Sequence, residues 1–102
     1  MPDPRKFPIP SVDDYFGTVT GVSAVIVPAN DNRLDLEIVN DSDVVIYLAR
    51  GNAAIVGSGI RLNATGGSYS MNTQTLFLGY IAAISANQQE ENNVTISEGE
   101  TP

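Results

Sequence analysis

Arg33-Leu-Asp-Leu-Glu-Ile-Val-Asn40 is the stretch that decides the fold class. Leu34, Leu36 and Ile38 alternate with Asp35 and Glu37. Successive side chains of a strand point to opposite faces, so this period of two predicts a strand with one face on a core and one in water. Turn-forming residues bound it on both sides, Pro28-Ala-Asn-Asp-Asn32 before and Asn40-Asp-Ser-Asp43 after.

The same grammar extends outward. Residues 44–49 place Val44, Ile46 and Leu48 on one face and Val45, Tyr47 and Ala49 on the other. Both faces are mostly apolar, which predicts a central strand. Residues 18–27 are rich in Val and Ile, which suit a pleated surface, and Gly21 marks a bulge or bend within them. Ala54-Ile-Val56 forms a short apolar patch. Residues 60–63 and 68–71 flank Ala64-Thr-Gly-Gly67, a pattern that predicts a hairpin.

Residues 76–86 are apolar in both phases, and Gly79 with the Ile and aromatic content favours strand over helix. Val94 and Ile96 carry a last strand over residues 94–97. About seven closely spaced strands leave no room for βαβ crossovers and point to an all-β fold. The expected architecture is a single antiparallel β-sandwich or jelly-roll-like domain with an extended N-terminal arm. The expected core face comprises Leu34, Leu36, Ile38, Ile46, Leu48, Leu78, Ile84 and Ile96.

The domain divides into a proline-rich arm at 1–15, a sandwich at 16–98 and an acidic tail at 99–102. Pro2, Pro4, Pro8 and Pro10 fix φ, remove backbone donors and push their predecessors toward extended geometry. Ser11-Val-Asp-Asp14 is a short signal that could cap a helical turn. Arg5, Lys6, Phe7 and Ile9 are the candidate partner-binding residues. Phe7 and Ile9 sit among prolines and have no core of their own, so the arm reads either as a disordered terminus or as one that orders on a neighbouring subunit with these two as anchors.

Composition narrows the function. The chain of 102 residues has room for one domain. Twelve acids against five bases give a net charge of −7. That balance disfavours nucleic acid and anionic membrane surfaces as partners. Glu90, Glu91, Glu98 and Glu100 crowd the C-terminal end and read as solvated charges. No signal peptide is visible, and no apolar run approaches the ~20 residues a spanning helix needs. Sequons at Asn40, Asn63 and Asn93 therefore read as chance.

The sequence holds no His and no Cys. Zinc sites and the usual nucleophile–base pairing both need them. Asp35 and Glu37 could form an acid–base pair, but alternation already explains them as an exposed face. Asp31, Asn40, Asp41 and Asp43 could offer oxygens to calcium, yet they lack the spacing of a calcium-binding loop and suit turns. Gly57-Ser-Gly59 and Gly66-Gly67 lack the spacing of a phosphate loop. Tyr15, Tyr47, Tyr69 and Tyr80 suit packing better than a sugar platform. No cofactor, no metal and no enzymatic activity are expected.

From Arg33 onward the succession is Arg33-to-Asn40, Ile46-Tyr-Leu48, Gly51-Asn52, Gly59-Ile-Arg-Leu62, Gly66-Gly-Ser-Tyr69, Leu76-Phe-Leu-Gly-Tyr-Ile-Ala-Ala-Ile-Ser85 and Val94-Thr-Ile-Ser-Glu98. It resembles small β-sandwich virion proteins of tailed bacteriophages, of the head-decoration or other capsid-associated kind. The resemblance implies a binding role on a capsid or tail surface, with the major capsid protein or other virion subunits as partners. It also implies a symmetric homo-oligomer located in the virion, assembled in the host cytoplasm. It brings no catalytic residues. A carbohydrate-binding or host-recognition module is the alternative, and a glycosidase using Asp35 and Glu37 is a third.

Overall fold

The computed structural model describes residues 11–86 and 91–101. They form eight strands: β1 (Ser11–Val19), β2 (Ala24–Val27), β3 (Arg33–Asn40), β4 (Ile46–Arg50), β5 (Ile60–Leu62), β6 (Ser68–Met71), β7 (Ile81–Ser85) and β8 (Asn92–Glu100). Two four-stranded sheets result, with orders β1-β8-β3-β6 and β2-β7-β4-β5, and every pairing is antiparallel. The expected arm, Met1 to Pro10 with Arg5, Lys6, Phe7 and Ile9, lies outside the described residues.

The pairing has a simple logic. β4 pairs β5, β3 pairs β6, β2 pairs β7 and β1 pairs β8. That is the register of one long hairpin whose turn lies between β4 and β5. Wrapping this hairpin on itself adds the contacts β3–β8 and β4–β7 and closes each sheet. Every other connection must then cross between sheets. Gly59 closes the central turn at φ +84°, and a Cβ there would stand 2.4 Å from the Leu48 carbonyl oxygen. Only glycine fits so close an approach.

Between the sheets lie Val19, Ile26, Val27, Leu36, Ile38, Ile46, Leu48, Leu62, Met71, Ile81, Ala83, Val94 and Ile96. One inner row runs Tyr15–Ile96–Ile38–Tyr69 across β1, β8, β3 and β6. Both tyrosines pack on the core at the ends of this row, which bears out packing as their role. Tyr47 lies on the outer side of β4 and Tyr80 just before β7, so the four make no common platform.

Leu36, Ile38, Ile46, Leu48 and Ile96 are buried as the alternation predicts. Leu34, Leu78 and Ile84 are only half-buried. The register between β3 and β8 shifts between Arg33 and Asp35. Such a bulge adds one residue to the strand. It turns Arg33 inward in the place where the plain alternation put Leu34. Leu78 belongs to the β6–β7 connection at 72–80, not to a strand. In β7 the inward phase is Ile81, Ala83 and Ser85, which puts Ile84 on the outer face.

Other expected boundaries also move. Residues 11–15 continue into β1 and pair with β8, so no helical turn forms at Ser11. Residues 18–27 break at Thr20 to Ser23 into two strands on different sheets. Residues 60–63 and 68–71 are not a hairpin, because β5 pairs β4 in one sheet while β6 pairs β3 in the other. Gly99 and Glu100 are part of β8 and not of a tail.

Candidate functional site

Both ends of β3 carry buried polar clasps. At its start, the Arg33 side chain is 1% exposed, although arginine is rarely found so deep unless paired. Its Nε donates to the Glu98 carboxylate at 2.5 Å. Nη1 donates to the carbonyls of Phe77 and Gly79, and Nη2 to that of Pro28 at 2.8 Å. One guanidinium thus ties β8, the 72–80 connection and the β2–β3 turn together. Close by, Asn30 donates through Nδ2 to Glu100 at 2.8 Å and through its amide to the Leu78 carbonyl. Glu98 was expected as a solvated acid; it is 6% exposed and holds this ion pair.

At the far end of β3, Asn40 is fully buried. Its Nδ2 lies within 2.7 Å of the Val44 carbonyl and 3.1 Å of those of Leu62 and Asn63. Its Oδ1 accepts from the amide and hydroxyl of Ser42. Buried polar groups must find partners, and here every hydrogen-bonding atom of the side chain does. Asn40 is therefore spent on the backbone and is not free to ligate a cation.

The candidate calcium ligands do not converge. Asp31 precedes β3 and Asp41 and Asp43 follow it, at opposite ends of an eight-residue strand. An extended strand of that length separates them by roughly 25 Å. Among the described residues no group of three acidic side chains is placed to hold a metal ion. Asp41, Asp43, Glu91, Asn92 and Asn93 instead line an open depression of about 680 Å³ at the strand-end loops.

Asp35 and Glu37 share the outer face of the first sheet. The Asp35 carboxylate accepts the Gly99 amide at 2.9 Å, while Glu37 is exposed between Ser97 and Ser70 of the neighbouring strands. A depression of about 270 Å³ adjoins them, lined by polar side chains and the strand backbone. Neither carboxyl is enclosed by apolar walls or set against a nucleophile. The exposed-face reading of this pair accounts for its geometry.

Charge is divided between the sheets. β1, β8, β3 and β6 carry Asp13, Asp14, Asp35, Glu37, Glu98 and Glu100 against the single buried Arg33. β2, β7, β4 and β5 carry no acid, and they carry Arg50 and Arg61. Sequence reading missed this division, because it appears only once the strand order is known. Asp13 has its carboxyl raised above the ordinary 3.8, first by a hydrogen bond with Glu100 and then by the charge of the same residue. Burial, with the nearby charge of Glu98, raises the Tyr15 hydroxyl above its ordinary 10.0.

Exposed apolar side chains fall in two places. Val12 and Phe16 stand on the outer face of β1, at 53% and 70% exposure. Val22, Val25, Ile55 and Val56 gather on the other side, where the Ser23 hydroxyl accepts the Ala54 amide at 2.8 Å and joins the β1–β2 and β4–β5 connections. No family model, curated protein or solved structure matches this chain.

Proposed function

We propose that the chain is a non-enzymatic structural protein of a bacteriophage virion, which binds the capsid and stabilises it by bridging subunits as a symmetric oligomer. The strand order carries this reading. Eight antiparallel strands paired as one wrapped hairpin make a jelly roll, an architecture used in viral capsid and lectin domains. The organisation of the polar groups supports a scaffold. The two most elaborate hydrogen-bonded clusters, around Arg33 and Asn40, serve the backbone, and the accessible carboxylates lie spread along a face.

The contacts are assigned to the segment holding Arg5, Lys6, Phe7 and Ile9, with the major capsid protein or another virion subunit as partner. In the sequence that segment directly precedes β1, which is the outer strand of the first sheet. Its two bases complement acidic surfaces, and Phe7 and Ile9 are the apolar anchors. Many weak contacts on one shell add up through avidity.

Co-sedimentation with purified capsids tests the reading. The full chain is expected in the pellet at saturable stoichiometry. Removal of residues 1–10 should lower its affinity and leave the circular dichroism spectrum unchanged. Equal binding by the full and truncated chains would remove the arm from the proposal. Absence of capsid binding, with retention on a glycan array, would favour the carbohydrate-recognition alternative that the same architecture also serves.

A further inference from the structure

We propose that the free edge of β1 is an interface for a second copy of this chain, joined antiparallel about a two-fold axis at Phe16. β1 is a nine-residue strand at the border of its sheet, paired with β8 along its whole length without a register shift. In an antiparallel ladder alternate residues turn their N–H and C=O groups away from the partner. No backbone hydrogen bond links residues 11–19 to anything but β8 among the described residues. Such a row of unpaired groups is a template for another strand.

The remaining edges are blunted. β6 has four residues, β5 has three, and β2 has four with a register shift. β1 has no such device. It contains neither lysine nor proline. Of its two acids, Asp14 is drawn back toward β8, where it accepts the Ser97 hydroxyl at 2.6 Å, and Asp13 stands close to Glu100 of β8. The large apolar side chains left standing on the outer face of the strand are Val12 and Phe16, with Thr18 beside them.

Self-pairing selects the register. An axis at Asp13 or Asp14 would set like charges directly opposite each other, which is unfavourable. An axis at Tyr15 would set Asp14 against Phe16. With the axis at Phe16, the two Phe16 rings face each other, Asp14 faces Thr18 and Asp13 faces Val19 of the other copy. Aromatic cross-strand pairs are among the favourable ones. The acidic charge of each copy opposes association, so this interface tightens as salt screens the repulsion. Docking through Arg5 and Lys6 would weaken with salt instead. The proposal does not rest on the virion reading, because its tests use the free protein in solution.

The native chain has no cysteine, so single cysteines report on the interface cleanly. Phe16→Cys, in the full chain, should oxidise to a covalent dimer faster than the control Glu37→Cys, which lies on the same outer face two strands away. Paired thiols meet at an effective concentration on the order of millimolar, so at about 10 micromolar protein the excess should reach about 100-fold. Sedimentation velocity should show a concentration-dependent wild-type dimer that strengthens with salt. Phe16→Lys should be monomeric, and at a dilution where the wild type is also monomeric the two should melt at the same temperature, because this side chain is already exposed. Equal oxidation rates for the two cysteine variants, or a dimer that survives Phe16→Lys, would overturn the proposal.

Discussion

Replacing Arg33 by Ala should be the most damaging single truncation in this chain. The guanidinium is buried and makes four hydrogen bonds, one of them to a carboxylate that is itself 6% exposed. Removing one partner of a buried pair leaves the other charge uncompensated, at a cost of about 3–5 kcal/mol. The carbonyls of Pro28, Phe77 and Gly79 lose a donor as well, though they lie near the sandwich end where water can replace it. A domain of this size holds only about 5–15 kcal/mol in total. Each kcal/mol shifts the melting temperature of such a domain by roughly 4–8 °C. Arg33→Ala should therefore lower the midpoint by about 12–40 °C in a thermal melt followed by circular dichroism. The double variant Arg33→Met with Glu98→Leu separates pairing from burial. It removes both charges and keeps apolar volume, so it should be more stable than Arg33→Ala alone. The reasoning fails if Arg33→Ala costs less than about 1 kcal/mol, the level of an exposed ion pair, or if the double variant is the less stable of the two.

Leu36→Ala should cost about 2–5 kcal/mol in urea denaturation, while Glu37→Ala stays within about 0.5 kcal/mol, because one side chain is buried and its neighbour exposed. Comparable losses would mean the register of β3 is reversed. Asp13→Asn should raise stability at neutral pH. An acid whose pKa is raised in the folded state binds protons more tightly there, so wild-type stability falls as pH rises above the ordinary 3.8. The advantage of the variant should accordingly vanish below that value, and a constant difference from pH 3 to pH 7 would refute the Asp13–Glu100 coupling. Millimolar calcium should leave the wild-type melting temperature unchanged, since Asp31 is a strand's length from Asp41 and Asp43; a ligand bound only by the folded state would have to raise it.

The all-β class and part of the core were legible because they rest on local alternation. Leu36, Ile38, Ile46, Leu48 and Ile96 needed only a period of two. What failed was phase and partnership. Residues 81–85 are apolar on both faces, so nothing local says that Ile81 and Ala83 turn inward while Ile84 turns out. Residues 76–80 look like strand, but their carbonyls are claimed by Arg33 and Asn30 from elsewhere in the chain. The 60–71 segment carries a good hairpin signature, yet its two halves pair in different sheets. Gly67 there approaches Asn63 so closely that a Cβ would fall 2.3 Å from the Asn63 amide nitrogen. The glycine pattern marks a tight turn without saying which sheet the chain enters next.

The surfaces were less legible than the core for the same reason. Alternation predicts that Asp35 and Glu37 face solvent, but not that they share a sheet with Asp13, Asp14 and Glu100. Only the wrapped hairpin brings both chain ends together as β1 and β8 and concentrates the acids there. The arrangement has a mechanical consequence. β8 is clamped between β1 and β3 along its length, and the Arg33–Glu98 pair closes one end. Among the described residues β1 is paired on one side alone. A scaffold that is locked through its middle and open along one long edge can recruit a strand without rearranging its core. Association through that edge would need no large conformational change and would add a fifth strand to a four-stranded sheet whose twist is already set. If Arg33→Ala loosened β8, the same variant should also weaken pairing at β1, even though Arg33 lies two strands inside the edge. Measuring dimerisation of Arg33→Ala below its melting midpoint would test that coupling, and an unaltered dimer would show that the edge strand keeps its shape without the clasp.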